Sequence, residues 1–237
     1  QSIPAKYDWV VDCVSSSGGG AEEYRAVYFD GMRNLLARIG DSPPKKFVFT
    51  SSTSVYGQKD GSVATETSPA EPEAATARVL LDAEALLRDA ARRLNFAALV
   101  LRAGGIYGTG RGYWLKQFLK GEPVAGPASR ILNMVHRDDV VGSIVAGLRN
   151  ETAPQILNVV DDEPTTLADC FEWLSRFTRK PAPEIIEASA ESRRRGFSNK
   201  RVSNALLKAQ LNYRFKYPTF RQGFAAELNP PPSAAAA

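Results

Sequence analysis

The stretch FVFTSSTSVYG, residues 47–57, decides how the rest of the chain is organised. Phe47 to Phe49 are bulky and apolar, as a buried strand requires, and the hydroxyl-bearing run Thr50-Ser51-Ser52-Thr53 ends them, with Ser54 and Val-Tyr-Gly behind. Hydroxyls at a strand end either satisfy nearby backbone groups or face a ligand. The flanking segments set the type of sheet. Residues 8–14 form a second short apolar run, followed by the turn SSSGGG and by a helical period over residues 22–39. Residues 76–94 predict an amphipathic helix: Leu80, Ala83, Leu87, Ala90 and Leu94 make its apolar stripe, with Glu84/Arg88 and Asp89/Arg93 as surface i,i+4 pairs. Residues 97–101 and 156–160 read as two further strands.

Strands alternating with helices of this length predict an α/β fold with parallel βαβ units. In such sheets ligands lie beyond the carboxyl ends of the strands. Three of those ends carry small or hydroxyl-bearing residues, at Val14-Ser15-Ser16, Thr50 to Thr53, and Arg102-Ala103-Gly104-Gly105. Their coincidence predicts a binding crevice rather than ordinary turns. From Pro181 onward basic residues accumulate and Tyr213, Phe215, Tyr217 and Phe220 cluster, as in a small second lobe. The expected division is residues 1–180 as the core, 181–228 as the lobe and 229–237 as a tail.

Composition limits the function classes. The 237 residues are 43% hydrophobic and 24% charged, an ordinary globular balance, and no apolar run is long enough to cross a bilayer. Cys13 and Cys170 read as buried thiols of a reducing, cytoplasmic setting, and a single histidine argues against a structural metal site. The net charge of +4 owes much to Arg193, Arg194, Arg195, Lys200, Arg201 and Lys208. Without interleaved aromatics, that cluster is a solvated face or meets a phosphorylated small molecule, not a nucleic acid.

The order of segments resembles the extended short-chain dehydrogenase/reductase superfamily, which implies a Rossmann-like parallel sheet. Residues 8–15 are similar to its fourth strand, DxVIHxAA, and FVFTSSTSVYG to its fifth, with the SSxxVYG ending. LRAGGIYGTG (101–110) is similar to LRxxNxYGPG, VHRDDVV (135–141) to FxHVDDVA, and residues 157–166 to YNVGxGxPxT. Residues 198–223 resemble the closing DxSKxxxxLGW segment. The resemblance spans nearly the whole chain.

Two departures qualify it. The family's first three strands and GxxGxxG turn have no counterpart, and SSSGGG has the wrong spacing after the wrong strand. The expectation is an N-terminally incomplete piece of a longer protein, or an edge strand covered by another chain. The family's catalytic tyrosine and lysine are also absent: the matching positions are Thr76 and Leu80. An atypical branch of NAD-dependent epimerases and dehydratases is similar in losing that pair while keeping the strand.

The resemblance implies NAD or NADP as cofactor and a sugar, nucleotide-sugar or phosphorylated small molecule as substrate. Ser52 falls at the catalytic serine position, and Tyr28 takes the place of a site-facing asparagine. Val14, Ser15, Thr50, Ser51, Ala103, Gly104 and Gly105 would line the cofactor; Thr53, Arg111, Lys200 and Arg201 would meet the substrate. Strand alternation points Ser51 and Thr53 away from the cleft, towards structural roles. Of Arg102 and Arg111, one is expected in an ion pair and one on a phosphate. Tyr56 and Tyr107 are expected as buried tyrosines with bonded hydroxyls, His136 as structural, and Asp138 or Asp139 as a helix cap. A homodimer is compatible with the fold. The competing function is a dinucleotide-binding protein without turnover, serving as a sensor or structural subunit.

Overall fold

A computed structural model describes residues 7–16, 18–40, 42–151, 155–187 and 198–229. Arg193, Arg194 and Arg195, and the tail beyond Asn229, lie outside the described residues.

Strand β1 (Trp9–Asp12) leads to α1 (Ala21–Tyr24), a π-helical turn (Arg25–Asp30) and α2 (Gly31–Ile39). Strand β2 (Lys46–Ser52) ends in a 3-10 turn (Thr53–Val55), followed by β3 (Val63–Ala64), α3 (Ala75–Leu94), β4 (Ala97–Ala103) and β5 (Gly105–Tyr107). Then come α4 (Tyr113–Lys120), β6 (Val124–Ala125), β7 (Ile131–Leu132), β8 (Met134–His136) and α5 (Arg137–Arg149). The remainder is β9 (Gln155–Val159), β10 (Thr165–Thr166), α6 (Leu167–Thr178), β11 (Ile185–Ile186), β12 (Arg201–Val202), α7 (Ala205–Leu211) and α8 (Phe220–Leu228).

The main sheet has the order β1-β2-β4-β9, and each neighbouring pair is parallel. Its register aligns Ser52 with Ala103, and Ala103 with Val159, so the carboxyl ends form one row. The β2 side chains alternate between two cores. Phe47 and Phe49 pack with α2 and α3 through Met32, Leu36, Ala83 and Leu87, whereas Val48 packs with Leu99, Leu101 and Val140. A sheet covered on both faces needs apolar residues at both parities, which is why FVF is continuous rather than alternating.

A third cluster joins Tyr107, Phe118, Leu132, Met134, Cys170, Phe171, Phe220 and Phe224. That cluster draws on β5, α4, β7, β8 and α6 as well as on the C-terminal α8.

Three local expectations are corrected. Helix α5 is capped by His136, whose ring accepts from the Asp138 backbone N–H; strand β8 runs up to His136, leaving both aspartates inside the first turn. Cys13 is exposed just past the end of β1, while Cys170 is buried. On α3, Glu84 is buried rather than paired with Arg88, and Asp89 pairs with Arg92.

Candidate functional site

The row of strand ends brings Ser52, Ala103 and the residues after β1 to one edge of the sheet. Ser52 is extended (φ −135°, ψ 145°) and its hydroxyl oxygen accepts from the Ser54 N–H at 3.1 Å, capping the 3-10 turn. A hydroxyl has one proton and two lone pairs. Its proton has no partner among the described residues. The Thr50 hydroxyl, on the same face two residues earlier, is buried and likewise lacks a partner among the described residues.

Val14 and Ser15 are exposed past β1, and the Ser16 N–H donates to the Tyr28 hydroxyl oxygen at 3.4 Å. Tyr28 is buried in the π-helical turn, a local widening that recurs at functional sites. That bond ties the helix to the end of β1. After that turn Glu23 folds back closely over Gly19, where a Cβ would lie 2.0 Å from its carboxylate.

Behind Ser52, Ser51 faces the other way and donates to Glu84 Oε1 at 2.6 Å. Arg102 grips both oxygens of Glu84, at 3.0 Å from Nε and 2.6 Å from an Nη, with both side chains nearly fully buried. Its guanidinium also lies 4.9 Å from the Tyr56 ring centre. The Tyr56 hydroxyl donates to Asn158 at 2.8 Å, and Asn158 donates onward to the Ser203 carbonyl. This is the ion pair expected of one of the two arginines; burial raises the Tyr56 phenol pKa. Sequence reasoning gave Glu84 the wrong partner, Arg88, and gave Asn158 no role, since neither position in an amphipathic helix or a strand marks its own partner.

Of the remaining expected residues, Gly105 is exposed, and a Cβ there would make only ordinary contacts. Gly104 is different: a Cβ would sit 2.6 Å from the Asn133 carbonyl oxygen, so packing alone demands glycine. Ala103 and Thr53 are buried. Arg111 is exposed between Gly110 and Gly112, both at positive φ. Arg201 is exposed and donates to the Gly61 carbonyl at 2.8 Å. Lys200 turns inward, donating to the Tyr56 carbonyl at 2.9 Å and to the Ser198 hydroxyl at 2.7 Å. Thr76, at the position expected of the family tyrosine, is half-buried at the start of α3, and Leu80, at the position expected of the lysine, is in the core.

Next to the third cluster His136 bonds Glu227 at 3.1 Å and packs 4.0 Å from Tyr217. Asp139 accepts from the Tyr213 hydroxyl and from the Lys216 and Tyr217 N–H groups, fixing the C-terminal segment to α5. The Tyr107 hydroxyl and Asp161 Oδ2, by contrast, are buried without partners among the described residues, correcting the expectation that Tyr107 is bonded. Among the described residues no cluster could hold a metal ion, and no helix is long and apolar enough to cross a membrane.

The model of the NAD dependent epimerase/dehydratase family matches residues 3–159. The chain belongs to that family. Within reach of this epimerase/dehydratase chain are a 3-diazoavenalumate denitrifying reductase of Streptomyces sp, 29% identical over 170 residues, and protein YeeZ of Escherichia coli (strain K12), 27% identical over 203 residues. The matches cover 65% and 85% of this chain, but 53% of the reductase and 68% of YeeZ. The chain thus spans about half the length of the reductase. Among solved structures, MoeE5 in complex with UDP-glucuronic acid and NAD superposes with a TM-score of 0.81 at 20% identity, covering 94% of this chain and 78% of MoeE5. At that identity the likeness establishes the epimerase/dehydratase fold, a Rossmann-like parallel sheet.

Proposed function

We propose that the chain forms the nicotinamide-facing side of an NAD(P)-dependent site, of the reductase or epimerase kind, acting on a sugar-like or phosphorylated small molecule. The observation that carries this reading is Ser52: its oxygen accepts from the Ser54 N–H, which leaves its proton available to be donated at the end of β2. Family membership and the NAD held by MoeE5 support the cofactor; the reductase relative supports the chemistry.

The residues fit the nicotinamide end of a dinucleotide. Thr50 offers a buried hydroxyl without a partner among the described residues, Val14 and Ser15 stand open past β1, and Gly105 leaves its backbone approachable. Bound there, the cofactor supplies or accepts a hydride. Ser52 holds its proton at the substrate oxygen, stabilising the charge that develops on it. Tyr28, whose oxygen accepts from Ser16, keeps its own phenolic proton for the same exchange. Arg111 and Arg201, both exposed, would meet an anionic substrate group.

Calorimetric titration of the natively purified full-length protein with NAD and with NADP tests this. One of the two binds, and Ser52→Ala and Tyr28→Phe each lower turnover by about tenfold or more while cofactor affinity stays within about twofold. Failure of both dinucleotides to bind overturns the proposal. A second reading, dinucleotide binding without turnover, is favoured by one observation: Leu80, 4% exposed, stands where a cation would activate the phenol. Tight cofactor binding with no reaction on any carbonyl or nucleotide-sugar substrate selects it.

A further inference from the structure

Tyr56 closes the turn that begins at Ser52, and it is held at both ends. Its N–H donates to the Thr53 carbonyl, its hydroxyl reaches Asn158, and its ring lies under Arg102. Its carbonyl accepts from Lys200 Nζ, 144 residues further along the chain. Asn158 in turn donates to the Ser203 carbonyl. Both grips therefore end on the segment 198–203, which carries β12 and belongs to the C-terminal part of the chain.

Lys200 is an expensive choice for this task. It is 3% exposed, its hydrogen-bond partners are neutral, and Arg130 is the charge that faces it. Burial, reinforced by Arg130, pulls its pKa down to about 8. A buried ammonium without a carboxylate costs folding free energy, and an apolar chain of similar length would pack there more cheaply. What the ammonium adds is a directed grip on the turn that aims Ser52.

We propose that Lys200 is a positioning residue for the Ser52 turn, holding the Tyr56 carbonyl from the C-terminal segment so that this segment sets where the serine hydroxyl points. The inference deepens the site reading above and rests on it for its catalytic meaning, but the clamp itself does not depend on cofactor binding.

Amide hydrogen exchange on the full chain without ligand tests the clamp directly. Two amides report on the turn: Ser54, bonded to the Ser52 hydroxyl, and Tyr56, bonded to the Thr53 carbonyl. In Lys200→Met both exchange faster by about tenfold, while amides of β4 keep their protection and Tm changes little, because relief of the buried charge offsets the lost bond. Lys200→Gln, which retains a neutral N–H donor, restores part of the protection. Unchanged exchange at Ser54 and Tyr56 overturns the proposal. So does an equal loss across β4, which assigns Lys200 a general stabilising role instead. In a sample that turns over, Lys200→Met lowers kcat with KM within about twofold; a change in KM alone makes Lys200 a substrate contact and also overturns it. If no dinucleotide binds, the exchange experiment still decides the clamp.

Discussion

At the carboxyl ends of β2 and β4, Ser51 and Arg102 both bond Glu84, Tyr56 bonds Asn158, and the Arg102 guanidinium over the Tyr56 ring joins the two sets; beside the third cluster, Tyr107 and Asp161 leave a hydroxyl and a carboxyl oxygen unpartnered among the described residues. Both regions are buried, so solvent does not explain the contrast. In the first, a bidentate ion pair satisfies both charges, and each added bond orients the next group. In the second, burial drives the Asp161 pKa well above the usual carboxylate range and raises that of Tyr107 too. A carboxyl group that keeps its proton needs less compensation in the interior than a carboxylate would. The satisfied network lies behind the Ser52 turn and fixes geometry there. The unsatisfied one lies beside the third cluster, where aromatic packing of Tyr107 against Phe224 and His136 does the holding.

The sharpest way to break this contrast is Glu84→Ala. It strands the Arg102 guanidinium and the Ser51 hydroxyl in the interior, so chemical denaturation shows a loss of about 3–5 kcal/mol. A loss below about 1 kcal/mol means the network is not the frame described here. Next in size is Gly104→Ala, whose Cβ meets the Asn133 carbonyl and costs about 1–3 kcal/mol, whereas Gly105→Ala leaves the melting temperature near that of the parent.

Asp161→Asn tests the other region through pH. The folded pKa of Asp161 lies above its unfolded value of 3.8, so the folded chain binds the extra proton. Its contribution to stability is complete below the unfolded pKa and is lost as pH rises through the folded one, at a slope of at most about 1.4 kcal/mol per pH unit. The amide that replaces the carboxyl group does not titrate, so the fall vanishes in thermal melts of the variant taken across that window. Smallest of all is Tyr107→Phe. Removing a hydroxyl without a partner leaves stability within about 0.5 kcal/mol of the parent or raises it; a larger loss reveals a bond to Tyr107.

Much of this was legible in the chain itself. FVF followed by hydroxyls marked a strand covered on both faces and ending at an open edge, because parallel sheets need apolar residues at both parities. Strand alternation also separated Ser51 from Ser52, and the structure sends Ser51 to Glu84 while Ser52 caps its own turn. The cap of α5 was misplaced because aspartate is the commoner capping residue, and only the end of β8 shows that the first helical residue is Arg137.

By itself, then, the sequence determined the α/β class, the parallel strands and the residues at their carboxyl ends, since these follow from local periodicity and side-chain polarity. Tertiary structure alone decided the partners: Glu84 with Arg102, Tyr56 with Asn158, and Lys200 with the Tyr56 carbonyl. Those pairs join elements far apart in the chain. A charged residue's worth in a protein interior depends on what stands within hydrogen-bond reach, a quantity that no local pattern contains.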